Sequence, residues 1–74
     1  MIYVDVNIFN KEKRFDLKFD ETMSVFQMLT ELKAYIELNV ENTYVFSKNL
    51  KKELSQTKTF EEQGVLGGDT LIIV

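Results

Sequence analysis

A single helical stripe lies among segments that otherwise read as strands, and this narrows the fold more than any other feature. Val25, Met28, Leu29, Leu32 and Ile36 fall at i, i+3, i+4, i+7 and i+11, which makes one side of a helix apolar. The chain before it has period two. Ile2, Val4, Val6 and Ile8 alternate with Tyr3, Asp5 and Asn7, and Phe15, Leu17 and Phe19 alternate with Arg14, Asp16 and Lys18. The polar run Asn10-Lys11-Glu12-Lys13 joins these arms as a hairpin. A lone amphipathic helix can bury its stripe only against a sheet, so the expected class is α+β, with the helix on one sheet face.

Boundaries can be read from capping chemistry. Ser24 as N-cap with Gln27 three residues on forms a capping box, Met23 and Met28 can staple it, and Thr22 is a second candidate cap. Asn39 is expected at or near the helix end. Thr43 to Phe46 reads as a third strand, Ser47 to Lys52 as a polar turn anchored by Leu50, and Glu53-Leu54 as a short fourth strand. Thr59 with Glu62 is a second capping box, and Gly64 closes that short helical turn in a left-handed conformation. Val65 and Leu66 are expected to return to the core. Gly67-Gly68-Asp69 should then turn at positive φ into a last strand, Thr70 to Val74, lying beside the first and parallel to it. No repeat or linker interrupts residues 1–74, which read as one domain. Met23, Met28, Phe15, Phe19, Phe46 and Phe60 are expected in its core.

Composition excludes whole classes of function. The chain of 74 residues has 45% hydrophobic and 28% charged residues, the balance of a globular domain. With no cysteine and no histidine it offers no disulfide, no thiolate or imidazole metal ligand and no base to activate Ser24, Ser47 or Ser55. The acidic pairs Asp20-Glu21 and Glu61-Glu62 stand at helical starts, where they complement the macrodipole, and their spacing is not that of a calcium loop. We therefore expect no catalytic, cofactor-binding or metal-binding residue and no enzymatic activity. A net charge of −3 repels phosphate backbones. The basic groups Lys11/Lys13/Arg14 and Lys48/Lys51/Lys52 lie in hairpin turns among carboxylates, so nucleic acid is not an expected partner. The opening residues alternate like a strand, unlike an export signal, and no run is long enough to span a bilayer. Cytoplasmic residence without membrane insertion is expected.

The order strand, strand, helix, strand, short strand, helical turn, strand is that of the β-grasp. From Thr59-Phe60-Glu61-Glu62 to Gly68-Asp69-Thr70-Leu71-Ile72-Ile73-Val74 the sequence resembles the ubiquitin pattern, in which a capped 3₁₀ turn is followed by a polar turn and an apolar last strand. Within that superfamily it resembles the YukD/EsaB-like proteins, small ubiquitin-like accessories of bacterial type VII secretion systems. The similar segments are Tyr3-Val4-Asp5-Val6-Asn7-Ile8, Met23-Ser24-Val25-Phe26-Gln27-Met28-Leu29 and Gly68 to Val74. The resemblance implies a cytoplasmic accessory that assists a membrane-embedded export machine through protein contacts. A ubiquitin-like domain regulating another complex is the alternative. A carrier or modifier is a further one, but it needs a flexible Gly-Gly after the last strand, and here Gly67-Gly68 precedes that strand.

An interaction surface is expected on the sheet face away from the helix. If Leu71 and Ile73 point inward, Ile72 and Val74 point outward, and Val45 on the neighbouring strand is expected beside them. Phe9 at the end of the first strand extends the patch. These four positions match the apolar sheet face by which ubiquitin is recognised. The partners they allow are a component of the secretion machinery or a second copy forming a homodimer.

Overall fold

The computed structural model describes residues 1–74, with every side chain except that of Asn10. Strand β1 (Ile2–Ile8) runs into a 3₁₀ turn (Phe9–Lys11) and returns as β2 (Lys13–Phe19). Helix α1 (Val25–Leu32) follows, then a second 3₁₀ turn (Val40–Asn42) and three short strands, β3 (Val45–Ser47), β4 (Lys52–Leu54) and β5 (Thr70–Ile73). They form one mixed sheet in the order β2-β1-β5-β3-β4. As the alternation requires, β5 lies parallel to β1, with Val6 opposite Leu71 and Ile8 opposite Ile73. The remaining pairs are antiparallel.

The core forms between α1 and the inner sheet face. Val4, Val6 and Ile8 of β1 meet Val25, Met28, Leu29 and Leu32 of the helix, with Leu54, Leu71 and Ile73 beside them. Phe60 is fully buried, its ring centroid 4.4 Å from that of Phe19. Phe15 and Met23 are half-buried against this cluster. Both capping boxes form as the sequence predicts. The Gln27 N–H donates to Ser24 Oγ at 3.1 Å and the Ser24 N–H to Gln27 Oε1 at 2.8 Å. Thr59 and Glu62 make the same reciprocal pair at 2.9 and 3.0 Å. The two boxes are neighbours, tied by the Val25 N–H donating to the Lys58 carbonyl and the Phe60 N–H donating to the Met23 carbonyl. Gly64 closes the second box at φ +81°.

Four expectations need correction. The regular helix stops at Leu32, well short of Asn39, because the following amides of Ala34 and Tyr35 bond three residues back, to Glu31 and Leu32, and tighten the chain. Ile36 is still buried at the end of this tightened turn. Leu66 is exposed: the Asp69 N–H donates to its carbonyl in the turn, leaving the side chain in water. Of the glycine pair only Gly68 has positive φ, +88°. The fourth concerns β3. Its register sets Val45 opposite Ile73 and Phe46 opposite Ile72, so Val45 points into the core and Phe46 away from it, the reverse of expectation.

The reason lies in one buried polar network. Ser47 and Asp69 are each 1% exposed. Asp69 accepts from the Ser47 hydroxyl through Oδ2, and from the N–H groups of Asn49 (3.1 Å) and Thr70 (2.7 Å) through Oδ1. Ser47 Oγ accepts in turn from the Leu50 N–H at 3.1 Å. A serine on a strand normally faces water because an unpaired buried hydroxyl is costly. Here Asp69 supplies the partner, so Ser47 turns inward and carries Val45 with it, since residues two apart share a face.

Candidate protein-interaction face

The face opposite α1 is built by the outward residues of all five strands. One row crosses the whole sheet: Arg14, Asn7, Ile72, Phe46 and Glu53 are successive register partners from β2 to β4. Its ends are oppositely charged and its centre, Ile72 beside Phe46, is apolar. Phe9 stands at the upper end of β1, 68% exposed. Together with Asn7, Ile72 and the hairpin residues Glu12, Lys13 and Arg14 it lines an open groove of about 550 Å³.

The four residues singled out in the sequence are distributed unevenly. Phe9 and Ile72 line the same groove. Val45 is 1% exposed and belongs to the core, for the reason given above, so it cannot contribute to a surface. Val74 is 39% exposed and exchanges two backbone hydrogen bonds with Tyr44, at 3.0 and 2.9 Å, just past the end of β5. It lines a smaller cavity of about 210 Å³ with Leu38, Ile73 and Thr43. Sequence reading missed Phe46 and Tyr44. Their signal was present: Tyr44 and Phe46 share one parity, and Thr43, Val45 and Ser47 the other.

Electrostatics at the rim are local. Arg14 pairs with Asp5 at 3.3 Å on the β2 side, and the Lys18 ammonium lies 5.4 Å from the centre of the Tyr3 ring. Beneath the groove, Asn7 Oδ1 is buried without a hydrogen-bond partner among the described residues. Two carboxylates elsewhere sit below their ordinary pKa values, Asp20 because it accepts from the Thr22 hydroxyl and N–H, and Glu62 because it accepts from the Thr59 N–H and hydroxyl. Both belong to caps and turns. Among the described residues no three carboxylates, cysteines or histidines converge as a metal shell would require. No helix is long and apolar enough to cross a membrane. The outer face thus combines an apolar centre with a polar rim.

Known structures share this fold. The chain is similar to the ubiquitin-like domain of an Arabidopsis thaliana protein, with a TM-score of 0.84 at 16% identity over 99% of this chain and 74% of that one. It is similar to a designed protein based on ubiquitin, with a TM-score of 0.82 at 16% identity over 99% of this chain and 85% of the other. The N-terminal ubiquitin-like domain of the 4931431F19Rik protein gives 0.81 at 19% identity, over 99% and 72% of the two chains. At such identities these likenesses carry the fold alone. No curated protein matches the sequence closely enough to serve as a relative. The family described as "WXG100 protein secretion system (Wss), protein YukD" matches residues 3–73, and the chain, a ubiquitin-like β-grasp domain, belongs to that family.

Proposed function

We propose that this domain is a non-conjugated interaction module of a bacterial type VII secretion system, acting in the cytoplasm by binding rather than by chemistry. Its partner in this reading is a protein component of the export machinery, docked on the outer sheet face around Ile72, Phe46 and Phe9, with Tyr44 and Val74 at the margin. The family membership supports the setting. The single observation that carries the choice of face is the cross-sheet row, which places Ile72 and Phe46 side by side between Arg14 and Glu53. Interfaces concentrate their energy in such apolar and aromatic centres, while charged rims add register and specificity.

The test is a paired measurement on Ile72→Lys. Ile72 lies outside the buried core, so its loss creates no cavity, and the melting temperature should stay within a few degrees of the parent. Co-purification with the membrane components of the secretion machinery should fall by roughly thirtyfold, the effect of losing a central anchor worth about 2 kcal/mol. Unchanged stability with unchanged capture would remove this face as the working surface.

A further inference from the structure

We propose that β2 is a self-association edge, across which a second copy of this chain adds its own β2 antiparallel and extends the sheet through a two-fold axis. The backbone specifies an extended strand as the occupant. The Gly68 N–H donates to the Tyr3 carbonyl and the Asp5 N–H to the Asp69 carbonyl, so the odd residues of β1 direct their backbone groups at β5. The even residues of β1 therefore bond to β2, and their register partners there are Phe15, Leu17 and Phe19. Arg14, Asp16 and Lys18 consequently turn their N–H and C=O groups out of the sheet, and none has a partner among the described residues. The opposite edge, β4, has three residues and is protected by its shortness, whereas β2 has seven.

Side chains select a second copy and a register. Pairing centred on Asp16 would oppose Asp16 to itself and Arg14 to Lys18, both repulsive. Moving the centre to Leu17 opposes Asp16 of each copy to Lys18 of the other, which gives two reciprocal ion pairs on the outer face. It also opposes Leu17 to Leu17 and Phe15 to Phe19 on the helix face. Pairing centred on Phe15 is also charge-compatible but sets Lys13 against Leu17. The need for a cation is visible in the monomer. Asp16 stands opposite Asp5 in the ladder, and Asp5 already holds Arg14 at 3.3 Å. Asp16 itself has no ion-pair partner among the described residues. Below the edge, Leu17, Phe19, Met28, Leu32 and Tyr35 line a groove of about 190 Å³, and Tyr35 is 83% exposed. A two-fold axis normal to the sheet brings this groove against its copy. It also places both outer faces on the same side, so the dimer presents the proposed docking patch twice.

Sedimentation velocity from micromolar to millimolar concentration is the test, with thermal melting as the fold control. The parent should approach twice its 8.7 kDa mass as concentration rises. Asp16→Pro removes only an outward N–H and leaves the β1 ladder intact, so it should stay folded and monomeric. Asp16→Lys and Lys18→Asp should each weaken association at least about tenfold, and the double swap should restore it. A parent that stays monomeric at millimolar concentration overturns the proposal. So does a double swap that remains as weak as either single variant. An Asp16→Pro variant that dimerises as well as the parent overturns it too. None of these outcomes depends on the docking patch, because Ile72 lies on β5, two strands away from the β2 edge.

Discussion

β1 and β3 lie on either side of β5 and present the same two faces, yet their side chains obey different rules. In β1 every inward residue is aliphatic and every outward one is polar or aromatic, so hydropathy alone assigns the faces. In β3 the inward residues are Val45 and Ser47, and the outward residue between them is Phe46. The strand has thus buried a hydroxyl and left a phenyl ring half in water. What separates them is a partner for the buried polar group: the Asp69 carboxylate waits beneath β3, and among the described residues no buried carboxylate lies beneath β1. Apolar alternation therefore fixes a face only where no buried polar group has a reserved acceptor.

The β3 arrangement is most vulnerable at Asp69. Asp69→Ala leaves the buried Ser47 hydroxyl and the part-buried amides of Asn49 and Thr70 without their acceptor. We expect a loss of about 3 to 5 kcal/mol, enough to threaten folding in a domain of this size. Urea denaturation reads it directly, and a loss under about 1 kcal/mol would mean that the network does not hold β3.

A smaller effect sharpens the contrast within β3 itself. Val45→Ala should cost about 2 to 3 kcal/mol through lost burial and a residual cavity, whereas Phe46→Ala should cost less than about 1 kcal/mol despite removing the larger group. Equal costs would mean the two faces are not distinguished by burial.

The smallest effect concerns exposed carboxylates, the counterpart of the buried one. Glu62 and Asp20 have lowered folded-state pKa values because Thr59 and Thr22 donate to their charged forms. A depressed carboxylate adds stability above its unfolded pKa, and that stability disappears as pH falls through the folded value. Melting temperature should therefore be level near neutrality and decline in acid, with onset close to the ordinary values of 4.5 and 3.8. Glu62→Gln should shallow the decline; an unchanged acid profile would show that this cap contributes nothing to it.

Much of the fold was legible because its local signals agree. The hairpin and the two capping boxes follow from spacing or chemistry within a few residues, and the parallel placement of β5 on β1 from the need of a single helix to cover one sheet face. The end of α1 was not, since Ile36 continues the apolar stripe while backbone bonding has already tightened after Leu32. The candidate face was legible in Ile72 and Phe9. Val45 misled because Val and Phe are equally good strand residues, and the group that chooses between them, Asp69, is more than twenty residues away in sequence and looks like an ordinary turn residue.

The sheet order has a consequence for how the molecule comes into being. Its centre is the β1–β5 pair, in which Asp5 faces Thr70. A chain emerging from synthesis can form the β1–β2 hairpin and α1 early, but β5, the strand that joins this half to β3–β4, is made after the other four. Until then the inner edge of β1 is bare and the helix stripe has only half its floor. Such non-local closure slows folding and leaves unpaired strand edges exposed in the meantime. The nascent domain is therefore at its most adhesive just before β5 appears, and the strand that completes the sheet brings that state to an end.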